Sequence, residues 1–498
     1  MYSSGSLATK LCFGLTILLL VAAVGCGSGN GVNLSHTTGN YSLASVQGTY
    51  VYQIEGFSLL NGSPFREVGA FTADGAGRIT AGSDDTSGSP RFTYTGSYSI
   101  GSDGTGSITF NSPVFGQVTL FVTLVSSSRI FLMEGGSTVD GAGVAELQDS
   151  TAAATTPNGT FVFRLHQPAS APAANSSASE VGAVTIASGA VSGQMDENLG
   201  GNVGTFNLTG GSFSAPATLG RGTATLVDSG AFTTSLIYYV VNSGKIALLV
   251  SNAGAVGAGS AEVQTGAVGN GLSGNFAFGS SGETSVPYGV ATVGQFTATP
   301  SGGGSGTISG VEDAVQDGTY SASIPLSSCF SASSNGRVDI TTLSGSTCSG
   351  TTTQVFWMVS PSRAFFLNDN ANAVEDGTAD LQTTNSFSAS TLKGQFAMVM
   401  NGIDFSQPLE ELARIGPLQF DGSNRLALTE LVNASNSGGV TSPGPLSGSY
   451  NVSSNGRVLA SFNNSGLNLV MYAVSGSDAY VLQVDPRTST SGKVSLQH

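Results

Sequence analysis

The chain is poor in charge, in histidine and in cysteine. Of its 498 residues 9% are Asp, Glu, Lys or Arg, three are histidine and four are cysteine. So low a charge fraction argues against charge-rich disorder. What charge there is leans acidic, with 16 Lys and Arg against 31 Asp and Glu, a net charge of -15. An acidic surface repels phosphate backbones, and no long Lys/Arg run offers an exception, so nucleic acid is not an expected partner. A Ser-His-Asp relay needs a positioned base. His36 precedes the body of the chain and His498 ends it, which leaves His166, and no nucleophile-elbow motif accompanies it. Phosphate-loop, dinucleotide and zinc-ligand spacings are missing as well. The expectation is a non-enzymatic protein without a cofactor or a metal. Helical apolar periodicity is also scarce; its nearest approach, Pro408 to Arg414, is a turn or two.

What is abundant is glycine, 70 residues, between short β-branched and aromatic runs. One ending occurs four times: Gly-Val-Ala-Glu-Leu-Gln from Gly143, Gly-Ser-Ala-Glu-Val-Gln from Gly259, Gly-Thr-Ala-Asp-Leu-Gln from Gly377 and Gly-Lys-Val-Ser-Leu-Gln from Gly492. A matching opening also recurs, at Gly48-Thr49-Tyr50-Val51-Tyr52, Gly159-Thr160-Phe161-Val162-Phe163, Gly274-Asn275-Phe276-Ala277-Phe278 and Gly394-Gln395-Phe396-Ala397-Met398. Large apolar residues at alternate positions are the strand signature. The repeats divide the chain into units at 45–150, 157–265, 270–384 and 391–498. Each unit is too long for a propeller blade. Asp74-Gly75-Ala76-Gly77 predicts a two-residue hairpin turn with a following bulge, and Asp103-Gly104, Asn335-Gly336 and Asn455-Gly456 mark a second hairpin. Counting segments gives about eight strands per unit. An even meander of that length can close on itself by pairing its first and last strands, which removes exposed edges. The predicted fold is all-β: four tandem antiparallel β-barrels, with strongly coiled β-sandwiches as the alternative.

The first 25 residues read as a signal peptide: Lys10, an apolar run from Leu11 to Val24, and small residues closing it. Ala23-Val24-Gly25-Cys26 resembles the bacterial lipoprotein lipobox, with Ala23 in place of the usual Leu. The resemblance implies cleavage before Cys26, its lipidation by palmitate-type acyl chains and anchoring to the membrane. Gly27 rather than Asp follows the cysteine, which under the enterobacterial sorting rule implies the outer membrane. Residues 26–44 are polar and read as a flexible tether.

The opening Gly-x-Tyr/Phe-x-Phe, the central Phe71-Thr72-Ala73-Asp74-Gly75-Ala76-Gly77 and the hairpin Gly96-Ser97-Tyr98 together resemble a class of exported β-repeat lipoproteins of soil bacteria, acidobacteria especially. The likeness spans most of residues 45–498 and is weakest in unit two, which lacks the central motif. It implies an address and an architecture and no activity.

Cys329 and Cys348, the two cysteines of the body, sit in one unit of an exported chain and suggest a disulfide. Acidic pairs recur at Asp84-Asp85, Asp196-Glu197 and Glu312-Asp313, with Glu430 alone in unit four. Neighbours on a strand face opposite ways, so no pair can act as a glycosidase dyad. Asp85, Asp196 and Asp313 are the candidate ligand-facing carboxylates. Trp357, aligned with Tyr239 and Tyr472, reads as a wall or core residue. The Asp-Gly-x-Gly repeats are explained by turn chemistry rather than by calcium. The leading expectation is a binding or presenting protein of the cell envelope, its ligand a carbohydrate or a small apolar molecule. A purely structural spacer and a carboxylate-dependent glycan hydrolase are the alternatives.

Overall fold

The structure is a computed structural model and describes residues 39–498 apart from 59–62, 88, 114–115, 137–138, 170–176, 285–288, 345–346, 370–371, 406–409 and 435–438. The signal peptide, His36, Cys26 and most of the tether lie outside the described residues. Strands β1 (Gln47–Ser58), β2 (Pro64–Asp74), β3 (Arg78–Thr86), β4 (Phe92–Ile100), β5 (Thr105–Ser112), β6 (Gly116–Ser126), β7 (Arg129–Gly135) and β8 (Val139–Leu147) pair in sequence order. Strand β1 then pairs with β8, from Tyr50 opposite Leu147 to Ser58 opposite Val139, and the barrel is closed. Barrels two (159–263) and three (274–381) close in the same way. In barrel four Lys393–Asp404 pairs with Glu410–Asp421 on one side and Thr488–Leu496 on the other, which closes a ring of eight strands. Two short strands, Leu431–Ala434 and Gly439–Thr441, branch from that wall. The barrels form, not the sandwiches. The stretch around Pro408 to Arg414 supplies a strand from Glu410, and the helical turns among the described residues are short 3-10 pieces.

Alternation decides which side chains fill the barrels. In β1 Tyr50, Tyr52 and Ile54 point inward, while Val51 points out against barrel two. Aromatic rings occupy the interiors: Tyr50 stacks on Phe71 at 5.4 Å, and Phe356 on Phe366 at 4.7 Å. The space left inside barrel three, between Phe278, Ile308 and Phe356, is about 20 Å³, room for about one water.

The glycine of the recurring ending has a definite reason. A Cβ on Gly143 would come within 1.8 Å of the Gln53 carbonyl, one on Gly259 within 1.8 Å of the Arg164 carbonyl, and one on Gly492 within 1.9 Å of the Val399 carbonyl. The last strand presses against the first at the closure, and only a residue without a side chain fits. Gly259→Ala is expected to lower stability by about 2 kcal/mol, of the order of overpacking in a filled core; a urea-denaturation midpoint checks it.

The Asp74 turn differs in detail from the two-residue turn the sequence predicts. Its loop has three residues, Gly75 to Gly77, with both glycines at positive φ and a register shift at Thr72/Ala73. The reason is the Asp74 carboxylate, which accepts from the Ala76 and Arg78 amides at 2.7 and 3.0 Å and sets the wider turn. Unit two, lacking the motif, makes the tighter turn at Ser188-Gly189.

The disulfide forms. Cys329 and Cys348 are bonded, with Cα atoms 5.7 Å apart, across the strand Arg337–Ser344 that lies between theirs. A cross-link between residues 19 apart contributes about 3 kcal/mol by restricting the unfolded chain. Replacing both cysteines by serine should cost about that much, read as a shift of the denaturation curve followed by Trp357 fluorescence.

Candidate functional site

The outward faces of the barrels are used against one another. Apolar patches join barrel one to two through Val51, Ala70 and Leu249, two to three through Val162, Val355 and Leu367, and three to four through Ala277, Val293 and Leu482. A fourth patch joins four back to one through Val399, Ile415, Phe131 and Met133. The contacts therefore run in a closed cycle.

Each junction carries the same clip, made by the last residue of the recurring ending. The Gln148 side-chain amide donates to the Leu219 and Val240 carbonyls of barrel two. Gln264 does so to Asn335 and Met358 of barrel three, and Gln382 to Asn455 and Ala473 of barrel four. Gln497 closes the cycle on Asp103 and Leu124 of barrel one, at 3.1 and 2.7 Å. The residue after each glutamine adds a main-chain bond: Asp149 to Val241, Thr265 to Val359, Thr383 to Val474 and His498 to Val125.

Three junctions also carry a buried charge clamp, and here the three candidate carboxylates reappear. Asp85 accepts from Arg221 at 2.6 and 2.7 Å and from the Tyr239 hydroxyl at 2.7 Å. Asp196 accepts from both arms of Arg337 at 2.8 Å, from the Trp357 indole at 2.8 Å and from Thr205. Asp313 accepts from Arg457 at 2.7 and 2.6 Å and from the hydroxyls of Tyr472 and Tyr320. A carboxylate met by a two-pronged guanidinium is a strong charge-assisted pair. Burial pushes the Asp313 carboxyl up, but the hydrogen bonds from Arg457 and the two tyrosines outweigh it and hold it below its usual range. The expectation that Asp85, Asp196 and Asp313 face a ligand is thereby corrected: both oxygens of each are engaged by the next barrel. Trp357 is a wall residue as expected, and its indole N–H has the partner that a buried indole needs.

The junction from barrel four to one lacks this clamp. Register places Leu431 where the aspartates stand, since Ile415 opposes it as Val68 opposes Asp85. Thr105 opposite Thr123 replaces Arg337 opposite Trp357. Glu430, grouped in the sequence with the acidic pairs, instead pairs with Arg414 of its own barrel at 2.8 Å. In place of the clamp, the extra strands of barrel four reach over barrel one, where the Asn433 amide donates to the Glu134 carbonyl at 2.9 Å.

His166 is brought to a second polar group between barrels two and three. Its Nδ1 lies 2.8 Å from Asp376, which also accepts from Ser179 at 2.8 Å and from Arg164 at 2.7 Å. Serine, histidine and aspartate meet here, yet the serine hydroxyl donates to the aspartate and lies on the same ring nitrogen, 3.0 Å away. In a relay the serine must lie on the opposite nitrogen, so this group fastens barrels rather than activating a nucleophile. Burial opposes charge on the imidazole, but Asp376 outweighs it and raises its pKa.

A ring of alternating charges links all four units: Lys245 to Glu146, Arg363 to Glu262 and Asp380, Lys493 to Asp380, and Arg129 to Asp478. Lys493 lies over the Tyr480 ring, and burial lowers its pKa to about 7 against the opposing pull of Asp380.

Finally, each interior is apolar at its tight-turn end and polar at the other. In barrel one the polar end holds Glu67, Asp84 and Glu134, all buried, each with an oxygen that no donor reaches. Burial pushes Glu67 up to about 7 and holds Asp84 and Glu134 well above the usual carboxylate range. No group of His, Cys, Asp and Glu among the described residues is arranged to hold a metal.

No family model matches this chain and no curated protein does. Among solved structures it is similar to isotype 1 transferrin binding protein B from serogroup B Neisseria meningitidis, with 9% identity and a TM-score of 0.21 over 74% of this chain and 83% of that one. It is also similar to a protein of unknown function of the DUF3598 family from Nostoc punctiforme, with 8% identity and a TM-score of 0.16 over 47% and 100% of the two chains. Likeness at this level bears on no functional statement.

Proposed function

We propose that the protein is a lipid-anchored, non-enzymatic component of the bacterial cell envelope, placed at the outer membrane through Cys26, whose ring of barrels presents a fixed outer surface for binding. One observation carries this reading: the barrels hold packed apolar clusters and are locked to one another at four junctions, so contact with a ligand falls to the outside of the ring. Preorganised surfaces bind without a large ordering cost. The packed interiors equally support a second reading, a rigid envelope spacer that binds nothing. The glycan-hydrolase reading loses its supposed acids, because Asp85, Asp196 and Asp313 stand in three separate clamps.

Metabolic labelling with a palmitate analogue, followed by membrane fractionation, tests the anchor. Label in the natural protein, and its loss with release from the membrane in Cys26→Ser, are expected. An unlabelled protein that still fractionates with the membrane would contradict the anchor. Retention of a glycan or envelope protein by the purified chain separates the binding reading from the spacer.

A further inference from the structure

A cleft of about 380 Å³ lies where barrel three leans over the outer wall of barrel four. It falls at the lower end of the size range of ligand pockets. Its floor comes from three adjacent strands, Leu446–Val452, Arg457–Phe462 and Asn468–Ala473. On these strands Tyr450, Ala460 and Leu469 face the core, so the residues between them face out. The outward set is Ser449, Asn451, Ser461 and Asn468 with Leu459 and Val470 among them, Val484 lies at the edge, and Leu459 keeps 45% of its surface exposed. The overhanging wall is Tyr320 of barrel three.

Tyr320 is held unusually firmly for a half-exposed tyrosine. Its hydroxyl donates to Asp313 at 2.6 Å and accepts from Arg457 at 3.2 Å, so the clamp of this junction fixes the ring. At the junction of barrels two and three the donor from the aspartate's own barrel is Thr205, which donates to Asp196 at 2.6 Å and offers no ring. Asp85, at the first junction, is met by Arg221 and Tyr239. Among the described residues, this junction alone adds a second aromatic ring beside its clamp.

The lining selects a ligand class. It contains no charged side chain: Asp313 and Arg457 beside Tyr320 neutralise each other, and Asp485 at its edge is met by the main-chain and side-chain N–H groups of Asn468, which leaves that residue its amide oxygen, so a cationic or anionic ligand finds no free partner. Hydroxyl and amide groups in a row, with Leu459 and a fixed aromatic ring beside them, match a molecule that carries hydroxyls on its edges and C–H groups on its faces. An acyl chain would leave the polar row unmatched.

We propose that this cleft binds a neutral oligosaccharide, with the Tyr320 ring as the surface against which a sugar lies. The proposal rests on the binding reading above and names its ligand and its place.

The test uses full-length protein in detergent, with cellotetraose, laminaritetraose and maltotetraose as neutral probes and a tetragalacturonate as the charged one, measured by calorimetry and saturation-transfer NMR. At least one neutral tetrasaccharide is expected to bind, with saturation passed to its ring protons from tyrosine. Ser461→Trp and Leu459→Arg, both at exposed positions, should weaken it by about tenfold or more, since about 1.4 kcal/mol of lost contact suffices for that. Tyr320→Phe keeps the ring, frees it from the clamp and should bind more weakly than the natural protein. Unchanged melting temperatures in the first two variants show that the barrel is intact. Neutral-sugar binding that survives Ser461→Trp and Leu459→Arg overturns the cleft as the site and leaves the binding reading standing. Binding of the galacturonate alone, or of no probe, overturns the ligand class, and the Cys26 labelling result is independent of either.

Discussion

Arg337→Ala is expected to destabilise the protein by about 3–5 kcal/mol, the usual cost of removing one partner of a buried ion pair. The Asp196 side chain is completely buried, and Arg337 supplies two of its hydrogen bonds. Without the guanidinium, a buried carboxylate keeps only Trp357 and Thr205 as donors. The chain then either carries an uncompensated charge or lets water into the junction. Trp357 is the sole tryptophan, so its emission should shift to the red before the barrels unfold. The paired change Asp196→Leu with Arg337→Thr should recover part of the loss. It removes both charges and installs Leu431 and Thr105 of the fourth junction, and an apolar replacement of a whole buried pair is often close to neutral, but the Trp357 indole N–H, where that junction has Thr123, is left without its acceptor. A single variant no less stable than the natural protein would remove the clamp from the account.

The second large effect is on pH. Burial raises several carboxyls: Glu67 to about 7, Glu312 to about 7, Asp140 to about 8, Glu180 to about 8 and Glu411 to about 9. Each is higher in the folded chain than in the unfolded one. Its contribution is therefore complete below the unfolded carboxyl value near 4, and it declines as pH rises toward the folded value. While a group lies in that window it costs about 1.4 kcal/mol per pH unit. The opposite class, Asp313, Asp376 and Asp380, is held low by cations and hydrogen bonds against burial, and its contribution is lost as pH falls below the ordinary carboxylate range. The two classes leave a maximum near the unfolded carboxyl value of about 4. Melting temperatures should fall steadily from pH 5 to pH 8, and Glu180→Gln should flatten part of that slope. A melting temperature that rises over the interval would contradict the burial of these groups as neutral acids.

Much of this architecture is legible in the residues, and the reasons can be stated. Alternation at Tyr50-Val51-Tyr52 and the hairpin glycines are local signals, so strands and turns follow from them. Closure follows from counting to eight. Trp357, Tyr239 and Tyr472 align, and all three prove to donate to an aspartate of the preceding barrel. The partners of those aspartates were harder to see, because Asp85 and Arg221 are 136 positions apart and Asp313 and Arg457 are 144. A signal was present: Arg337 and Arg457 each follow an Asn-Gly hairpin one unit beyond an acidic pair. The glutamines of the recurring ending repeat in the sequence, but their acceptors are carbonyls of the next barrel, which no local pattern marks. Tyr320 had no signal at all, since its position recurs in no other unit.

The cycle of four barrels closes at the His498 amide. The His498 amide donates to Val125 of barrel one at 3.0 Å, as Asp149, Thr265 and Thr383 do at the other junctions. An amide that no hydrogen bond holds exchanges at the rate of a free chain. In a hydrogen-exchange experiment on the intact protein, His498 is expected to be protected together with Asp149, Thr265 and Thr383. Free-chain exchange at His498, with the other three protected, would mean that barrels four and one do not meet.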